Sequence, residues 1–326
     1  MPSLTRFGYY AGAIMLLLVV SVMVFAPRTA TEFAIQFERR MASLEEHRLE
    51  AAGFTIPYLE TGEGPTLVLL HGFTANKDNF TRIARYLNRD FHLIIPDLPG
   101  FGEASAPRDA EYDASAQIPR LIAFLDALNL EAPVHLGGSS MGGFLAARLA
   151  LAAPERVASL WLLAPGGLEG DTTSAIWQTY EETGRNPLLP QTVADYEQTM
   201  EAVFHEPPSV PWFVRDTLAE RTVARHDHYA RILKQLRADV PLNGQVGAIN
   251  TPTLLVWGMQ DRVLHPSGAE AWTRTHADTR FVAMEGVGHL PMLEAPERTA
   301  EAFKQFYSDR FATEEVAAHP TASASD

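Results

Sequence analysis

One short segment has the residue types and spacing of a catalytic turn: Gly138-Ser139-Ser140-Met141-Gly142, with glycines two residues before and two residues after Ser140. It follows an apolar run typical of a buried strand and precedes a run typical of a helix. A strand-to-helix turn this sharp needs glycine on both sides, and it lifts the central hydroxyl above the sheet. We therefore predict that Ser140 is a nucleophile.

A serine hydroxyl is a weak nucleophile at neutral pH and needs an adjacent base. Of the eleven histidines, His289 lies in a glycine-flanked loop, Gly286-Val-Gly-His289, after the last predicted strand. Such a loop can bring the imidazole to the hydroxyl, so we predict that His289 is the general base. The other histidines considered begin strand-like runs or fall in a charged stretch: His92, His135, His226 and His228.

The imidazole in turn needs a carboxylate that holds its tautomer and stabilises its charge. Asp261 follows the strand-like run LLVWG, past the carboxyl end of the strand, where a parallel sheet builds its sites. Asp97 ends the run HLIIP and is the rival, although its setting in DLPGFG favours a supporting role in a turn. We predict that Asp261 orients His289.

The acyl-transfer intermediate also needs two hydrogen-bond donors for its oxyanion. The first N–H of the helix after the nucleophile belongs to Met141, and a second donor should come from the loop after an earlier strand. His71-Gly72-Phe73 follows the run TLVLL and fits this position. We predict an oxyanion hole made of the backbone N–H groups of Phe73 and Met141.

Short apolar runs that alternate with helical patterns must position these residues. Continuous apolar runs predict strands buried on both faces, and alternation with helices predicts a doubly wound, mostly parallel sheet. Two further runs around Gly53 predict an antiparallel hairpin. The predicted strands are 47–52, 54–60, 66–70, 92–96, 134–137, 158–163, 253–257 and 280–284, and the predicted helices include 77–87 and 114–128.

Residues 168–250 interrupt this alternation. They contain several prolines and amphipathic stretches but no strand signal, and they are too long for a loop, so we predict a helical insertion. The small, polar residues 312–326 are typical of a disordered tail. The α/β core is then expected over 47–167 and 251–311.

The N-terminus contains a second apolar feature. Residues 7–27, between Arg6 and Arg28, are 21 uncharged residues, which as a helix would be about 30 Å long, one hydrocarbon core. An uncleaved membrane anchor over residues 1–28 is favoured over a cleaved signal peptide, because the cleavage sites after Ala26 and Ala30 are poor. The flanking arginines leave the side of the membrane undetermined.

A linker helix is predicted over residues 29–46. Thr29 and Glu32 form a capping-box pattern that would open it. Four apolar residues then form one stripe, which predicts either a helix at the membrane interface or packing on the protein body: Phe33, Phe37, Met41 and Leu44.

Composition excludes several function classes. The formal net charge of −14 argues against nucleic-acid binding, which needs clustered Lys and Arg. The absence of cysteine excludes disulfides, cysteine-based metal sites and a thiol nucleophile. Acyl transfer at a serine needs neither a metal nor another cofactor, so we expect none.

The spaced motifs together resemble the α/β-hydrolase superfamily over about residues 54–308: LLHGF, PDLPGFGE, GGSSMGGFLA, WGMQDRV and GVGHLPMLEAPE. The resemblance implies the α/β-hydrolase fold, with its mostly parallel sheet and the chain order serine, aspartate, histidine. HGFTANKDNF, residues 164–168 and 186–188, and the apolar N-terminus resemble membrane-anchored monoacylglycerol lipases and related bacterial lipases. That similarity implies a helical cap at 168–250, an N-terminal transmembrane helix and a lipid ester as substrate.

The implied cap carries five aromatic residues that either line an acyl-chain pocket or form the cap's own core: Trp177, Tyr180, Phe204, Trp212 and Phe213. The same triad also serves short-chain esterases, amidases and C–C bond hydrolases, because a fold does not determine a substrate. A membrane-tethered binding module without activity is the remaining alternative. The oligomeric state is left open.

Overall fold

A single eight-stranded sheet organises the chain in the computed structural model, which describes residues 9–10, 15, 17, 20–130, 132–168, 170, 172–239 and 241–311. The strand order is β1-β2-β4-β3-β5-β6-β7-β8. The strands are β1 (Glu45–Ala51), β2 (Phe54–Thr61), β3 (Thr66–Leu70), β4 (His92–Pro96), β5 (Val134–Ser139), β6 (Val157–Leu163), β7 (Thr253–Gly258) and β8 (Thr279–Met284).

The sheet is antiparallel at one end and parallel over the rest. β1 and β2 form the predicted hairpin, and β2 pairs antiparallel with β4. From β4 through β3, β5, β6, β7 and β8, neighbouring strands are parallel. The central apolar runs are buried on both faces, as in β5 and β7, where every residue is buried. The mostly parallel α/β sheet predicted from the sequence is confirmed.

Helices cover both faces of this sheet. They are α1 (Pro27–Met41), α2 (Thr81–Ala84), α3 (Ala114–Ala127), α4 (Met141–Ala152), α5 (Ala175–Thr183), α6 (Tyr196–Val203), α7 (Trp212–Val223), α8 (His226–Ala238), α9 (Ser267–Thr273), α10 (Pro291–Glu294) and α11 (Pro296–Arg310). One core cluster joins the sheet to α3 and α4, and another joins it to α2 and α11.

The helix predicted over 77–87 is the largest departure from the expected core elements. A short 3₁₀ helix, Lys77–Phe80, and the four-residue α2 replace it. The Asn76 side chain accepts a hydrogen bond from the Asp78 N–H and so starts the 3₁₀ turn. From Arg85 to Asp90 the chain forms turns that lead to β4, so the helical residues end at Ala84.

The predicted insertion lies between β6 and β7. Its described residues form the four helices α5 to α8, and none of them is assigned to a strand. The α8 helix joins the main core through Tyr229 and Ile232, which are buried. The predicted disordered tail, residues 312–326, lies outside the described residues.

The N-cap of α1 is Ala26, three residues before the Thr29 that the capping-box pattern predicts, and the helix ends at Met41 instead of residue 46. Pro27 occupies its first turn, and no side chain caps its N-terminus. Proline is suited to this position because its fixed φ matches the helix and its missing N–H would have no intrahelical acceptor. The prediction that Thr29 and Glu32 open the helix is therefore wrong.

One side of α1 packs on α7, and the other side carries exposed apolar residues. Thr31 is buried, and its hydroxyl donates a hydrogen bond to the Phe213 carbonyl at 3.1 Å. Phe33, Phe37 and Met41 are 70%, 64% and 59% exposed. The alternative that this apolar stripe packs on the protein body is therefore wrong for these three residues. Leu44, the fourth member of the predicted stripe, is buried beyond the helix end.

An ion pair joins the end of α1 to the core. The Arg39 guanidinium contacts both carboxylate oxygens of Asp78, at 2.6 and 2.8 Å, and also the carboxylate of Glu46. Because Arg39 is buried by these contacts, it is not a free charge flanking the apolar segment.

Most of the predicted anchor, residues 1–28, falls outside the described residues. Within the residues that are described, no helix has both the length and the apolar character needed to cross a bilayer.

Candidate active site

Ser140 lies in a strained turn between β5 and α4. Its φ is 54° and its ψ is −114°, a conformation that a residue with a side chain rarely adopts. A Cβ atom on Gly138 would lie 2.3 Å from the Gly142 carbonyl carbon, and one on Gly142 would lie 2.0 Å from the Leu70 carbonyl oxygen. The two glycines are therefore required because backbone segments approach at both positions.

Hydrogen bonds on both sides hold this turn in place. The Ser140 N–H donates to the Leu163 carbonyl of β6 at 2.9 Å. The Ser140 carbonyl accepts from the Phe144 N–H within α4 at 3.0 Å and from the Gly166 N–H at 2.9 Å. Since the strand, the helix and the loop after β6 all bond to one residue, its strained conformation is over-determined by its surroundings.

Asp261 and His289 form a buried hydrogen-bonded pair. His289 Nδ1 lies 2.8 Å from Asp261 Oδ2, and the histidine is 3% exposed. The carboxylate can only accept, so Nδ1 carries the proton of this bond. In the neutral imidazole, Nε2 is then left with its lone pair, which is the state that a general base requires.

Three further donors hold the Asp261 carboxylate. Its Oδ1 accepts from the backbone N–H groups of Val263 at 2.8 Å and Leu264 at 2.9 Å. Its Oδ2 accepts from the Trp257 indole Nε1–H at 3.2 Å as well as from His289. Four donors surround the two oxygens, so the carboxylate is held in one orientation. Trp257 is a contact that sequence reasoning missed.

Asp97, the rival acid, is paired elsewhere. Its Oδ2 lies 2.8 Å from the buried Lys77 Nζ, its Oδ1 accepts from the Lys77 N–H at 2.8 Å, and its Oδ2 also accepts from the Glu103 N–H at 2.8 Å. Burial alone would lower the pKa of Lys77, but the Asp97 and Glu103 carboxylates outweigh burial and raise it. Asp97 is thus committed to a cation and a turn, as its sequence setting suggested.

The loop after β3 lies beside Ser140. Gly72 comes close enough that an added Cβ would be 3.4 Å from the Ser140 Cβ. His71 fixes this loop: Nδ1 donates to the Gly72 carbonyl at 2.8 Å, and Nε2 accepts from the Leu98 N–H at 3.0 Å. Burial lowers the pKa of His71, which keeps it neutral and able to make both bonds.

The two predicted oxyanion donors lie on these elements. The Phe73 N–H belongs to the loop beside Ser140, and the Met141 N–H is the first of α4. Within the described part of the chain, neither N–H donates to another protein group. The first N–H groups of a helix have no intrahelical acceptor, so the one at Met141 is free to bind a ligand oxygen.

Ser140 and His289 line a cavity of about 440 Å³, which we call the apolar cavity. Its walls come from the loop after β3, from α1, from α6 and from α7. The side chains that give it its apolar character include Ala34, Ile35, Leu188, Met200, Val203, Phe204, Val214 and Leu218.

A second cavity, of about 460 Å³, lies on the other side of Ser140. It shares Phe73, Ser140 and Leu188 with the apolar cavity. Its walls combine apolar residues with hydroxyl and charged side chains, among them Phe144, Thr172, Thr173, Trp177, Glu181, Leu233, Arg237 and Asp239. The serine therefore lies where an apolar space meets a more polar one.

Residues 65–296 match the alpha/beta hydrolase fold family. The chain belongs to the α/β-hydrolase family.

Relatives of this hydrolase agree with the family match. Lipase 1 of Psychrobacter immobilis is 39% identical over 285 residues, covering 85% of this chain and 89% of the relative. Monoacylglycerol lipase ABHD6 of Homo sapiens is 28% identical over 255 residues, covering 75% and 76%. The crystal structure of a membrane phospholipase A is 38% identical, with a TM-score of 0.85, and covers 92% of this chain and 98% of that one.

The five aromatic residues predicted to line a pocket, all in the insertion of the hydrolase, occupy different places. Phe204 lines the apolar cavity and Trp177 lines the second cavity. Tyr180 contacts Trp177 edge-on at 6.0 Å, Trp212 is 50% exposed, and Phe213 is buried beside α1. The last three are not among the residues that line either cavity, so the structure does not place them where the pocket prediction requires.

The four other histidines weighed in the sequence analysis have partners away from Ser140. His92 Nε2 lies 2.6 Å from a Glu60 carboxylate oxygen, and His135 Nδ1 lies 2.7 Å from the Ser159 hydroxyl. In the insertion, His226 contacts the Pro190 carbonyl at 3.2 Å and His228 contacts the Gly100 carbonyl at 2.8 Å.

Two supporting residues besides Trp257 had no role assigned from the sequence. Lys77 is a lysine in a stretch that reads as a surface helix, and only its buried partner Asp97 explains it. Glu294 lies in the motif GVGHLPMLEAPE, which carries the resemblance but does not show what the glutamate bonds. From the sequence alone, a single glutamate three positions after Pro291 is compatible with several local roles, and the sequence does not distinguish among them.

Proposed function

We propose that this hydrolase cleaves carboxylic esters of lipids, of the monoacylglycerol type, through an acyl-enzyme on Ser140. One observation carries the proposal: a strained serine lines the same apolar cavity as His289, whose imidazole forms a buried pair with Asp261. Relatives named as lipases and monoacylglycerol lipases support the substrate class.

In the first step, His289 Nε2 takes the proton of the Ser140 hydroxyl while the oxygen attacks the ester carbonyl. Asp261 stabilises the resulting imidazolium through the Nδ1 hydrogen bond. The N–H groups of Phe73 and Met141 bind the oxyanion of the tetrahedral intermediate. The imidazolium then gives its proton to the leaving alcohol, and the acyl-enzyme remains.

In the second step, water takes the place of the alcohol. His289 removes a proton from this water as it attacks the acyl-enzyme carbonyl, and the same two N–H groups hold the new oxyanion. Collapse of the intermediate returns the proton to Ser140 and releases the fatty acid. In both steps, the donors and acceptors of the transferred protons are Ser140, His289, the leaving alcohol and the attacking water.

The two cavities support separate binding places for the two parts of the substrate. The acyl chain would occupy the apolar cavity, whose walls are mostly aliphatic. The glycerol part would lie in the second cavity, where hydroxyl and charged side chains can bind its oxygens. Residues 168–250 would then act as a cap, because α5 to α8 supply walls to both cavities.

We further propose that residues 1–28 anchor the enzyme in a membrane, with the rest of α1, which ends at Met41, lying at its surface. The exposed Phe33, Phe37 and Met41 on α1 support this placement, because a stripe of large apolar residues facing water is unfavourable unless lipid covers it. Ala34, Ile35 and Phe37 of α1 also line the apolar cavity. Lipid esters would therefore be available next to the site.

The test replaces Ser140 with alanine in the full chain and measures hydrolysis of a monoacylglycerol and labelling by a fluorophosphonate probe. We expect kcat to fall by a factor on the order of 10⁴ to 10⁶ and labelling to disappear. Ser139→Ala is the matched control, because Ser139 is the neighbouring serine but lies buried in β5. It should retain both signals.

Activity of Ser140→Ala near the wild-type value would overturn the assignment of the nucleophile. A substrate panel tests the substrate class: monoacylglycerols, short p-nitrophenyl esters, an amide and a diketone. Preference for the diketone or the amide would replace the lipase proposal with a different reaction at the same triad. If the wild-type chain is folded and the fluorophosphonate probe does not label it, the alternative of a binding module without activity would be favoured.

A further inference from the structure

The carboxylate of Glu294 bonds the base loop with one oxygen and the cap with the other. Its Oε1 accepts from the Gly288 N–H at 2.9 Å, directly before His289. Its Oε2 accepts from the backbone N–H groups of His205 at 2.9 Å and Glu206 at 3.2 Å. Those two residues follow the end of α6, so a single side chain joins the cap to the loop that carries the imidazole.

The backbones of the two segments are in direct contact at Gly288. A Cβ atom there would lie 2.5 Å from the His205 nitrogen, 2.9 Å from the Phe204 carbonyl carbon and 2.8 Å from Glu294 Oε1. Glycine is therefore needed for close approach, and the cap segment cannot shift toward the base loop without moving it.

Two more hydrogen bonds tie α6 to the triad loops. The His289 N–H donates to the Val203 carbonyl at 2.9 Å. Arg262, next to Asp261, donates from its guanidinium to the Glu201 carbonyl at 3.0 Å. Carbonyls in the last turn of a helix have no intrahelical partner, so the base loop and the acid loop both satisfy the end of α6.

The same helix forms one wall of the apolar cavity. Tyr196, Thr199, Met200 and Val203 of α6 line it, and so does Phe204. An acyl chain that fills this cavity would press on α6, and α6 is bonded at its end to the loops of His289 and Asp261. A short acyl group would leave the far part of the cavity empty and make no such contact.

We propose that Glu294 is a positioning residue that couples filling of the apolar cavity to the placement of the His289 imidazole. The proposal rests on the proposed lipid-ester function, since the acyl chain is the element that contacts α6. If the coupling exists, long-chain esters should have a higher kcat than short-chain esters, and not only a lower KM. The reason is that the bonded cap segment holds the base loop in its productive position.

The experiment compares wild type with Glu294→Gln in the full chain, using p-nitrophenyl acetate and p-nitrophenyl laurate. The glutamine amide offers one accepting oxygen and one donating NH₂, so it cannot accept from both Gly288 and His205. We expect kcat for laurate to fall by a factor on the order of 10 to 100, as for a small displacement of a catalytic group. The ratio of laurate to acetate kcat should fall with it.

Glu297→Gln is the matched control, because Glu297 is an exposed glutamate in the first turn of α11. It should leave kcat and KM for both esters unchanged. Arg262→Gln is the second variant, and because Arg262 is exposed the fold should tolerate its loss. It removes only the guanidinium bond to α6, so the laurate-to-acetate ratio should fall in the same direction by roughly threefold to tenfold.

Equal losses for both esters in Glu294→Gln would overturn the coupling and leave Glu294 a structural role. An unchanged chain-length ratio in Arg262→Gln would also overturn it, including in the case where Glu294→Gln does not fold. Neither result affects the proposed function, because that proposal depends on Ser140→Ala. A fall in the laurate-to-acetate kcat ratio in both variants, with normal fluorophosphonate labelling, would support the coupling.

Discussion

Asp97 and Asp261 occupy equivalent places at the same edge of the sheet. Each follows the carboxyl end of a buried parallel strand, β4 for Asp97 and β7 for Asp261, and each is buried and accepts two backbone N–H groups. They differ in their remaining partners. Asp97 pairs with the Lys77 ammonium at 2.8 Å, whereas Asp261 bonds the His289 imidazole at 2.8 Å and the Trp257 indole at 3.2 Å.

The difference distinguishes a carboxylate held in an ion pair from the one that we propose as catalytic. Lysine is charged throughout the physiological range, so the Lys77–Asp97 pair fixes the loop after β3 to the turn after β4 without moving a proton. Histidine can gain and lose a proton near neutrality, so the carboxylate of Asp261 supports a charge that appears only during reaction. Burial and strand position alone do not distinguish the two roles.

The largest effect should follow from Asp261→Asn. The amide would present N–H groups toward His289, which favours the tautomer that cannot accept the serine proton. We expect kcat for ester hydrolysis to fall by a factor on the order of 10⁴. Urea unfolding should show a loss of only about 1–2 kcal/mol, because one accepting oxygen remains for Val263 and Leu264. Steady-state kinetics and equilibrium unfolding measure the two quantities.

The Asp97→Asn variant tests whether the two carboxylates have different roles. It should lower the free energy of unfolding while leaving kcat of the folded enzyme within about tenfold of wild type, since Asp97 contacts neither Ser140 nor His289. If Asp97→Asn removed activity from a stably folded chain and Asp261→Asn did not, the roles assigned to the two carboxylates would be reversed.

Lys77→Met should give the next largest effect, on stability. It leaves the Asp97 carboxylate buried without its cation, which costs about 3–5 kcal/mol in the free energy of unfolding. The pKa of Lys77 is raised above 10.5 in the folded chain, so the pair's contribution is complete below pH 10.5 and is lost as pH rises through the folded pKa. Urea unfolding at pH 8 and at pH 11 measures this, and the difference between wild type and variant should be smaller at pH 11.

A loss below about 1 kcal/mol at pH 8 would contradict a structural role for the pair. Lys234→Met provides the control, because Lys234 is an exposed lysine on α8. That change should alter the free energy of unfolding by no more than about 0.5 kcal/mol.

A buried ionisable group without a charged partner gives the smallest of the three effects. His135 bonds the Ser159 hydroxyl and packs among aromatic rings, and burial lowers its pKa from 6.5 to about 4. The unfolded chain therefore binds a proton between pH 6.5 and pH 4 that the folded chain excludes, so stability falls as pH falls through this range. From pH 7 to pH 4 this group alone should remove about 3 kcal/mol.

His135→Gln should lose less stability than wild type over the same pH interval, by about that amount, because glutamine does not titrate. Thermal or urea unfolding at pH 7 and at pH 4 measures the difference. Parallel curves for the two proteins would show that His135 is already protonated in the folded state, or that another group controls acid unfolding.

Several features of the molecule followed from sequence because they depend on local pattern. The buried strands are continuous apolar runs, and all eight were predicted. The glycines around Ser140 are required by a turn that the flanking patterns already implied. Asp261 and His289 could be selected because both follow strand-like runs, and parallel strands bring their carboxyl ends to one edge.

The partners of these residues depended on contacts between distant segments. The sequence offered two carboxylates at strand ends, and only the folded chain brought Lys77 to one of them and His289 to the other. The stripe on α1 had two interpretations until the packing of α1 on α7 showed which side is covered. The bonds of Glu294 join segments 89 residues apart. Local pattern specifies elements, but which polar groups meet is decided by tertiary packing, because each must find a partner where burial places it.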